Sequence, residues 1–357
     1  MMVDFLVSRA DLRQCRFDAP AEPQLEPGQV LLEVDKFALT ANNITYAVFG
    51  DAMSYWNFFP GPQGWGRVPV WGYARVKQSR HDDVAEGERY YGYVPMSTHL
   101  VVEPARVADG TFFDGAAHRR ALPTPYQRYQ SVSKLPGYSQ AGEDFHPLLI
   151  PLYATSFMID DFLSDNALFG ARSVILSSAS SKTATGVAFL LKRFKRCEVI
   201  GLTSKGNRAF CEKLGCYDRV VTYDQIGTLD AKTPSVFVDM AGEGKVLHDV
   251  HHHFRDALKH SAIVGASHWE QRSTQHGLPG PKPQFFFAPN QIKKRTQDWG
   301  PGGVDAHFAE VWQPFVDFVR PWMKLVHGRG EGTVRETYLR MLDGRVPADE
   351  GHLLALQ

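Results

Sequence analysis

The stretch from Ser173 to Val264 constrains the fold most, because short apolar strands and amphipathic helices alternate along it. Ser173–Leu176 (SVIL) reads as a buried strand, and Thr183–Phe194 as an apolar helix whose basic end suits the helix dipole. Glu198–Thr203 is the next strand, Lys205–Leu214 a helix stopped by Gly215, and Arg219–Thr222 a third strand. Ser235–Asp239, a helix over about Lys245–Leu258, and Ser261–Val264 continue the series. Strands joined through helices pair in parallel, and a parallel sheet needs helices on both faces to cover it. The expectation is a doubly wound α/β domain that binds a ligand beyond the carboxyl ends of its strands.

The flanking segments have another character. Gln29–Asp35 (QVLLEVD) alternates apolar and polar residues at strand period, and Tyr73–Ser79 and Leu100–Glu103 repeat it across turns such as Ala85–Glu88. Residues 104–147 are rich in Pro, Gly, Tyr and Arg without a clear period, which reads as a long excursion of the kind that often carries function. A Pro/Gly-rich stretch from Gly280 leads into PQFFFAPNQIKKR and two helical patterns, the last of which, Thr333–Asp343, closes on Gly344. At 357 residues the chain suits two domains. The expected division is a β-rich domain over 1–150, a nucleotide-binding domain over 151–290, and a return to the first over 291–357.

Composition narrows the function classes. Lys+Arg and Asp+Glu both total 39, so the basic surplus typical of nucleic-acid or acidic-membrane binding is missing. The opening residues lack the basic segment and apolar run of a secretion signal. The apolar stretch Leu148–Leu163 is broken by Pro151 and carries Asp160 and Asp161, which argues against a membrane span. Cys15, Cys197, Cys211 and Cys216 give no disulfide framework, so the expectation is a cytoplasmic protein with a small-molecule partner. Cys211 and Cys216 have no second Cys or His pair nearby and read as packed thiols. The run His251-His252-His253 reads as an exposed helical face, because consecutive helical residues diverge.

Between the first strand and its helix lies SSASSKTATG, with no G-x-G-x-x-G pattern. The physics of the position survives in another form. A helix N-terminus offers unbonded N–H groups and partial positive charge to a pyrophosphate. Ser178, Ser180, Ser181 and Thr183 add hydroxyls, Lys182 adds a full charge, and Ala179 and Ala184 permit close approach. The same Ser/Thr cluster also reads as a plain helix cap. After the second strand, a carboxylate would bond a ribose 2′-hydroxyl, but the sequence runs GLTSKGNR. Ser204, Lys205 and Arg208 there suit a 2′-phosphate, hence NADP(H). Tyr223, after the third strand, is a candidate to stack on adenine or bond that phosphate.

At this point the chain resembles a medium-chain dehydrogenase/reductase of the zinc-free quinone oxidoreductase and enoyl reductase branch. GQVLLEVDKFALTANNITYAVFG, VAEGERYYGYV, PLYATSF, SSASSKTATGVAFLLK, LGCYDRVVTY, FVDMAG and SAIVGASH resemble that family's successive segments over most of the chain. NNITYA, PVWGYARV, TSFMIDDFL and SSASSKTA are similar, more narrowly, to a bacterial subgroup of unknown function. The resemblance implies a GroES-like β-rich catalytic domain interrupted by a Rossmann domain. It further implies that Thr155 lies beside the cofactor, that Ala241 and Gly242 occupy the loop after the fourth strand, and that the backbone of Gly265 approaches nicotinamide. Tyr46 matches a Tyr facing the reacting ring. The zinc positions do not match: Ala41 and Asn42 stand in place of a Cys, and Val70, Trp71 and Gly72 in place of a His-Glu pair.

These readings combine into an NADPH-dependent, zinc-independent oxidoreductase reducing an activated C=C or carbonyl, such as an enone, quinone or enoyl compound. Tyr46 is the candidate proton donor or oxyanion partner, with Asn42 and Asn43 beside it and Thr45 nearby; a packed core Tyr is the competing reading. The aromatic run Tyr55, Trp56, Phe58, Phe59 and Trp65 suits a wall for a flat hydrophobic substrate, and equally loop packing or a homodimer surface. A non-catalytic NADP(H)-binding sensor or structural protein is the alternative.

Overall fold

The computed structural model describes residues 1–135, 138–264 and 277–357. They form two compact units, Met1–Leu148 together with Met323–Gln357, and Leu149–Trp322.

The first unit is built on a mainly antiparallel sheet. Its central strand, Val30–Leu39, pairs on one side with Pro69–Ser79 and on the other with Glu350–Ala355, the latter through His352↔Leu39, Leu353↔Ala38 and Leu354↔Phe37. Pro69–Ser79 in turn pairs with Arg89–Pro95. Close pairing depends on glycine here: a Cβ at Gly72 would come within 2.5 Å of the Lys36 carbonyl oxygen, and one at Gly92 within 2.5 Å of the Tyr129 ring. The core packs Phe5, Val30, Leu32, Phe37, Val70 and Tyr93, all fully buried, against Val334 and Tyr338 of the helix Gly330–Leu342.

The 104–147 excursion is more ordered than its composition suggests. It contributes the strands Pro104–Ala108, Thr111–Asp114 and Arg128–Ser131, which extend the same sheet beyond Arg89–Pro95. These strands are four or five residues long, too short to show a period. A buried ion pair pins the excursion: Arg119, 1 % exposed, pairs with Asp114 and donates to the Phe58 carbonyl at 2.9 Å and to the Tyr129 hydroxyl at 3.2 Å. Removing one partner of such a pair strands a charge in the core, at a cost of roughly 3–5 kcal/mol.

In the second unit the strands lie in the order Arg219–Thr222, Glu198–Thr203, Ser173–Leu176, Ser235–Asp239, Leu258–Ile263, Gln284–Phe285, all parallel. The order reverses about Ser173–Leu176, whose neighbours are the second and fourth strands. That is the switch point of a doubly wound sheet, where a ligand crevice is expected. Val174, Ile175, Leu176, Val236, Phe237 and Val238 are fully buried, as strands covered on both faces must be. The helices Lys182–Arg193, Arg208–Leu214 and Gly244–Phe254 alternate with these strands, and Gly215 ends the second of them with φ +68°. The helices Ala288–Trp299 and Gly303–Val319 also belong to this unit. The second buries Val311, Trp312 and Phe315, with Phe315 stacked on Tyr153 at 3.9 Å. No helix among the described residues is long and apolar enough to cross a membrane.

The triple histidine departs from the expected exposed face. His252 is exposed, but His251 is fully buried, with Nδ1 2.9 Å from the Pro279 carbonyl and Nε2 2.9 Å from the Ser261 hydroxyl. His253 is half-buried, its Nε2 2.9 Å from the Leu229 carbonyl. The helix Gly244–Phe254 lies against the sheet, so one residue of the run necessarily points inward.

Candidate functional site

Ten of the expected binding residues gather at the carboxyl end of the parallel strands in the second unit. Ser178 follows the first strand with φ +49°, the left-handed region that favours glycine. Its backbone N–H donates to the Tyr223 hydroxyl at 3.0 Å, so Tyr223 braces the loop from the third strand. Ser181 caps the next helix, its hydroxyl accepting from the Ala184 N–H at 3.2 Å. Ser180 accepts from the Asn207 side chain at 3.0 Å, which ties the loop to the turn after the second strand. Lys182 and Thr183 form the first helical turn and are partly exposed. A cradle of helix N-terminus, hydroxyls and an ammonium fits a phosphate by its donor chemistry.

Two positions carry this cradle that the sequence reading passed over. Ser156, fully buried on the helix Phe145–Asp165, places its hydroxyl 2.8 Å from the Thr183 carbonyl. Thr155 beside it is half-buried, its hydroxyl donating to the Pro151 carbonyl at 3.3 Å. Ser177, also fully buried, accepts from the Met240 and Ala241 N–H groups at 2.8 and 2.9 Å and donates to Asp239 Oδ1 at 2.8 Å. Asp239 also accepts from the Gly242 N–H at 3.0 Å, Gly242 having φ +71°. The loops after the first and fourth strands are thereby locked together at the switch point. An Asp at the end of the fourth strand and a Ser at the end of the first were the available signals.

The turn after the second strand differs from the expected bare cationic patch. Ser204, Lys205 and Arg208 are exposed, but both cations have partners. Lys205 Nζ lies 2.9 Å from Asp224, and Arg208 donates to Glu212 at 2.8 Å and to Gln225 at 3.3 Å. Gly265 lies outside the described residues.

In the first unit, Thr40, Asn43 and the strand residue Pro69 fix the helix Ala41–Val48. The Asn43 Oδ1 accepts from the Thr40 N–H at 2.7 Å, and its Nδ2 donates to the Pro69 carbonyl at 3.0 Å. Asn43 is 2 % exposed, so its amide serves the backbone and we place no chemistry on it. Asn42 is partly exposed and donates to the Tyr46 hydroxyl at 2.6 Å. Tyr46 is 5 % exposed, packed at 4.6 Å on Tyr55 and edge-on at 6.2 Å to Tyr126. Burial, with those two tyrosines, holds its phenol well above the ordinary value of 10, so it stays protonated.

The expected aromatic wall divides. Trp56, Phe58 and Phe59 are buried in the core, Trp56 filling space between Gly50 and Gly66 that a Cβ at either would enter. Trp65 lies under the Arg16 guanidinium at 4.3 Å. Tyr55, Trp71 and Tyr126, the last from the 104–147 excursion, are partly exposed, with Trp71 and Tyr126 6.0 Å apart. Trp71 and Gly72 lie on the strand Pro69–Ser79, and Ala41 is exposed. No group of three or more His, Cys, Asp or Glu side chains among the described residues is placed to hold a metal. Burial raises both Cys211 and Cys216, Cys216 to about 12, so these two are neutral packed thiols.

A family model described as "Protein of unknown function (DUF2855)" matches residues 37–347. No curated protein matches the chain. Among solved structures, CurA from Vibrio vulnificus in complex with NADPH is 12% identical, with 99% of each chain covered and a TM-score of 0.61. A putative NADPH:quinone reductase from Mesorhizobium loti is 11% identical, covering 99% of this chain and 98% of that one, with a TM-score of 0.62. The yhdH oxidoreductase from Salmonella enterica in complex with NADP is 13% identical over 99% and 100% of the two chains, with a TM-score of 0.55. At these identities the likeness shows the fold, a GroES-like β-rich domain with a Rossmann domain as in medium-chain dehydrogenase/reductases.

Proposed function

We propose that this chain, which belongs to the DUF2855 family, is an NADPH-dependent, zinc-independent reductase of activated C=C or carbonyl compounds such as enones, quinones or enoyl compounds. The observation that carries the reading is the cradle at the switch point of the parallel sheet. Ser178–Thr183 open onto a helix N-terminus there, and Lys205 and Arg208 stand at the end of the neighbouring strand. A dinucleotide supplies the hydride when bound, and the chain's own residues position it. Lys182 and the hydroxyls of Ser178, Ser180 and Thr183 would hold the pyrophosphate, and Ser204, Lys205 and Arg208 the 2′-phosphate. Thr155, Ala241 and Gly265 are proposed to flank the nicotinamide.

Tyr46 is the proposed hydrogen-bond donor to a substrate oxygen gaining negative charge, with Asn42 orienting its hydroxyl. The half-exposed rings of Tyr55, Trp71 and Tyr126 suit a flat, hydrophobic carbonyl substrate. Likeness of fold to CurA in complex with NADPH and to a putative NADPH:quinone reductase supports the class of reaction without naming a substrate.

A second reading is a protein that binds NADP(H) without turnover. The enclosure of the Tyr46 hydroxyl, 5 % exposed and already bonded by Asn42, favours it. Oxidation of NADPH followed at 340 nm against a panel of enones and quinones decides between the two. Steady turnover with any of them supports the reductase, and tight NADPH binding with no oxidation leaves the sensor. Failure to bind either NADPH or NADH by calorimetry rejects both.

A further inference from the structure

The second and third strands of the parallel sheet run in register, Thr203 opposite Thr222. Two residues beyond the end of each strand, Lys205 and Asp224 emerge side by side, and Lys205 Nζ reaches Asp224 Oδ2 at 2.9 Å. Asp224 does not hang freely. It sits in the first turn of the 3₁₀ segment Tyr223–Thr228, and the Thr222 hydroxyl donates to its Oδ1 at 2.7 Å. That hydroxyl, followed by Lys205, holds the carboxyl below its ordinary value, so the group is ionised at neutral pH. Thr222 itself is 2 % exposed, which fixes the carboxylate from below.

The charges at this corner consequently cancel in pairs, Lys205 with Asp224 and Arg208 with Glu212. A 2′-phosphate arriving there must draw Lys205 away from Asp224 or accept a carboxylate close by, whereas a 2′-hydroxyl meets neither penalty. Building on the proposed use of NADPH, we infer that Asp224 is a specificity-determining residue, which restrains Lys205 and thereby sets how strongly the chain prefers NADPH over NADH. The preference is moderated rather than created by this residue, since the cations that favour the phosphate remain in place.

The pair is exposed and so weakly coupled, and the phosphate's second charge increases the effect, giving an expected change of about three- to tenfold in affinity. The full chain, with Asp224→Asn, Asp224→Glu, Lys205→Ala and the double variant Asp224→Asn/Lys205→Ala, is titrated calorimetrically with NADPH and with NADH. Asn keeps the acceptor for Thr222 and removes only the charge. Asp224→Asn is expected to tighten NADPH by about three- to tenfold with NADH changed less than about twofold, and the gain should shrink as salt is raised. Asp224→Glu should behave as the wild type, and the gain should vanish once Lys205 is Ala. An unchanged NADPH-to-NADH ratio in Asp224→Asn overturns the inference, as does an equal gain without Lys205. Loss of NADH affinity alone also overturns it, because Asp224 would then be bonding the ribose hydroxyl directly. A wild-type chain that binds neither cofactor instead overturns the proposed function on which the inference rests.

Discussion

The hydroxyl of Ser156 lies 2.8 Å from the carbonyl oxygen of Thr183, so the helix Phe145–Asp165 carries the first turn of the helix Lys182–Arg193 that opens from the Ser178–Ser181 loop. The approach is close enough to require Gly186, where a Cβ would come within 2.6 Å of Ser156 Oγ and 3.1 Å of the Tyr153 ring. An exposed helical glycine gains up to about 1 kcal/mol on replacement by Ala. Here the added methyl overpacks, and Gly186→Ala is expected to destabilise the protein by about 1–2 kcal/mol. Denaturant unfolding measures this, and a rise in the midpoint would falsify the close packing.

Lys182 tests the cradle itself. NADPH and NADH share the pyrophosphate, so Lys182→Ala should weaken both by a similar factor, roughly tenfold for one charge-assisted contact. Normal binding of both cofactors by the variant would reduce the Ser178–Thr183 segment to a helix cap.

Tyr46→Phe removes one hydroxyl and the hydrogen bond from Asn42 while keeping the ring that packs on Tyr55. Loss of a single oxyanion donor typically lowers kcat by about 10²–10³. The NADPH dissociation constant, read by fluorescence titration, should hardly move. Undiminished turnover would assign Tyr46 to the core and leave water as the proton source.

His251 gives the protein a pH-dependent stability. A carbonyl only accepts, so Nδ1 carries the proton shared with Pro279 and Nε2 accepts from Ser261. Burial pulls the imidazole below its ordinary value of 6.5. Between that lowered value and 6.5 the unfolded chain binds more protons than the folded one, so this contribution is complete above 6.5 and is lost as pH falls through it. His251→Gln should flatten the change in urea midpoint between pH 7.5 and 5.5. An identical slope in the variant would remove His251 as a source.

The parallel sheet was legible because its strands are buried on both faces and punctuated by helices: Ser173–Leu176, Glu198–Thr203, Arg219–Thr222 and Ser235–Asp239 are observed where the residue pattern places them. Edges were less exact, as the fifth strand runs over Leu258–Ile263 rather than from Ser261, its opening Leu258 having been assigned to the preceding helix and Lys259 and His260 to neither element. The 104–147 excursion hid its strands because their order comes from distant partners such as Tyr91 and from the buried Arg119–Asp114 pair. No local period announces either.

The candidate site was legible in its cations and hydroxyls and not in their partners. A search for an acid at the end of the second strand passes over Asp224, which reaches the same place from the third. Likewise Ser177 and Ser156 act through contacts 62 and 27 residues away, to Asp239 and Thr183. Trp56, Phe58 and Phe59 suited a substrate wall and loop packing equally in the sequence, because aromatic residues have the same signature whether they face a ligand or fill a core.

Pairing of Glu350–Ala355 with the central strand Val30–Leu39 has a consequence for how the protein is made. The ribosome releases Val30–Leu39 early and His99–Val102 soon covers Val30–Glu33, yet the Phe37–Leu39 part of that edge stays open until residues more than three hundred positions later have been translated. The second unit is a single unbroken stretch, Leu149–Trp322, and its parallel sheet can assemble in the meantime. Throughout synthesis the nascent chain therefore carries an exposed strand edge, the kind of surface that chaperones occupy and that neighbouring nascent chains on a polysome can seize.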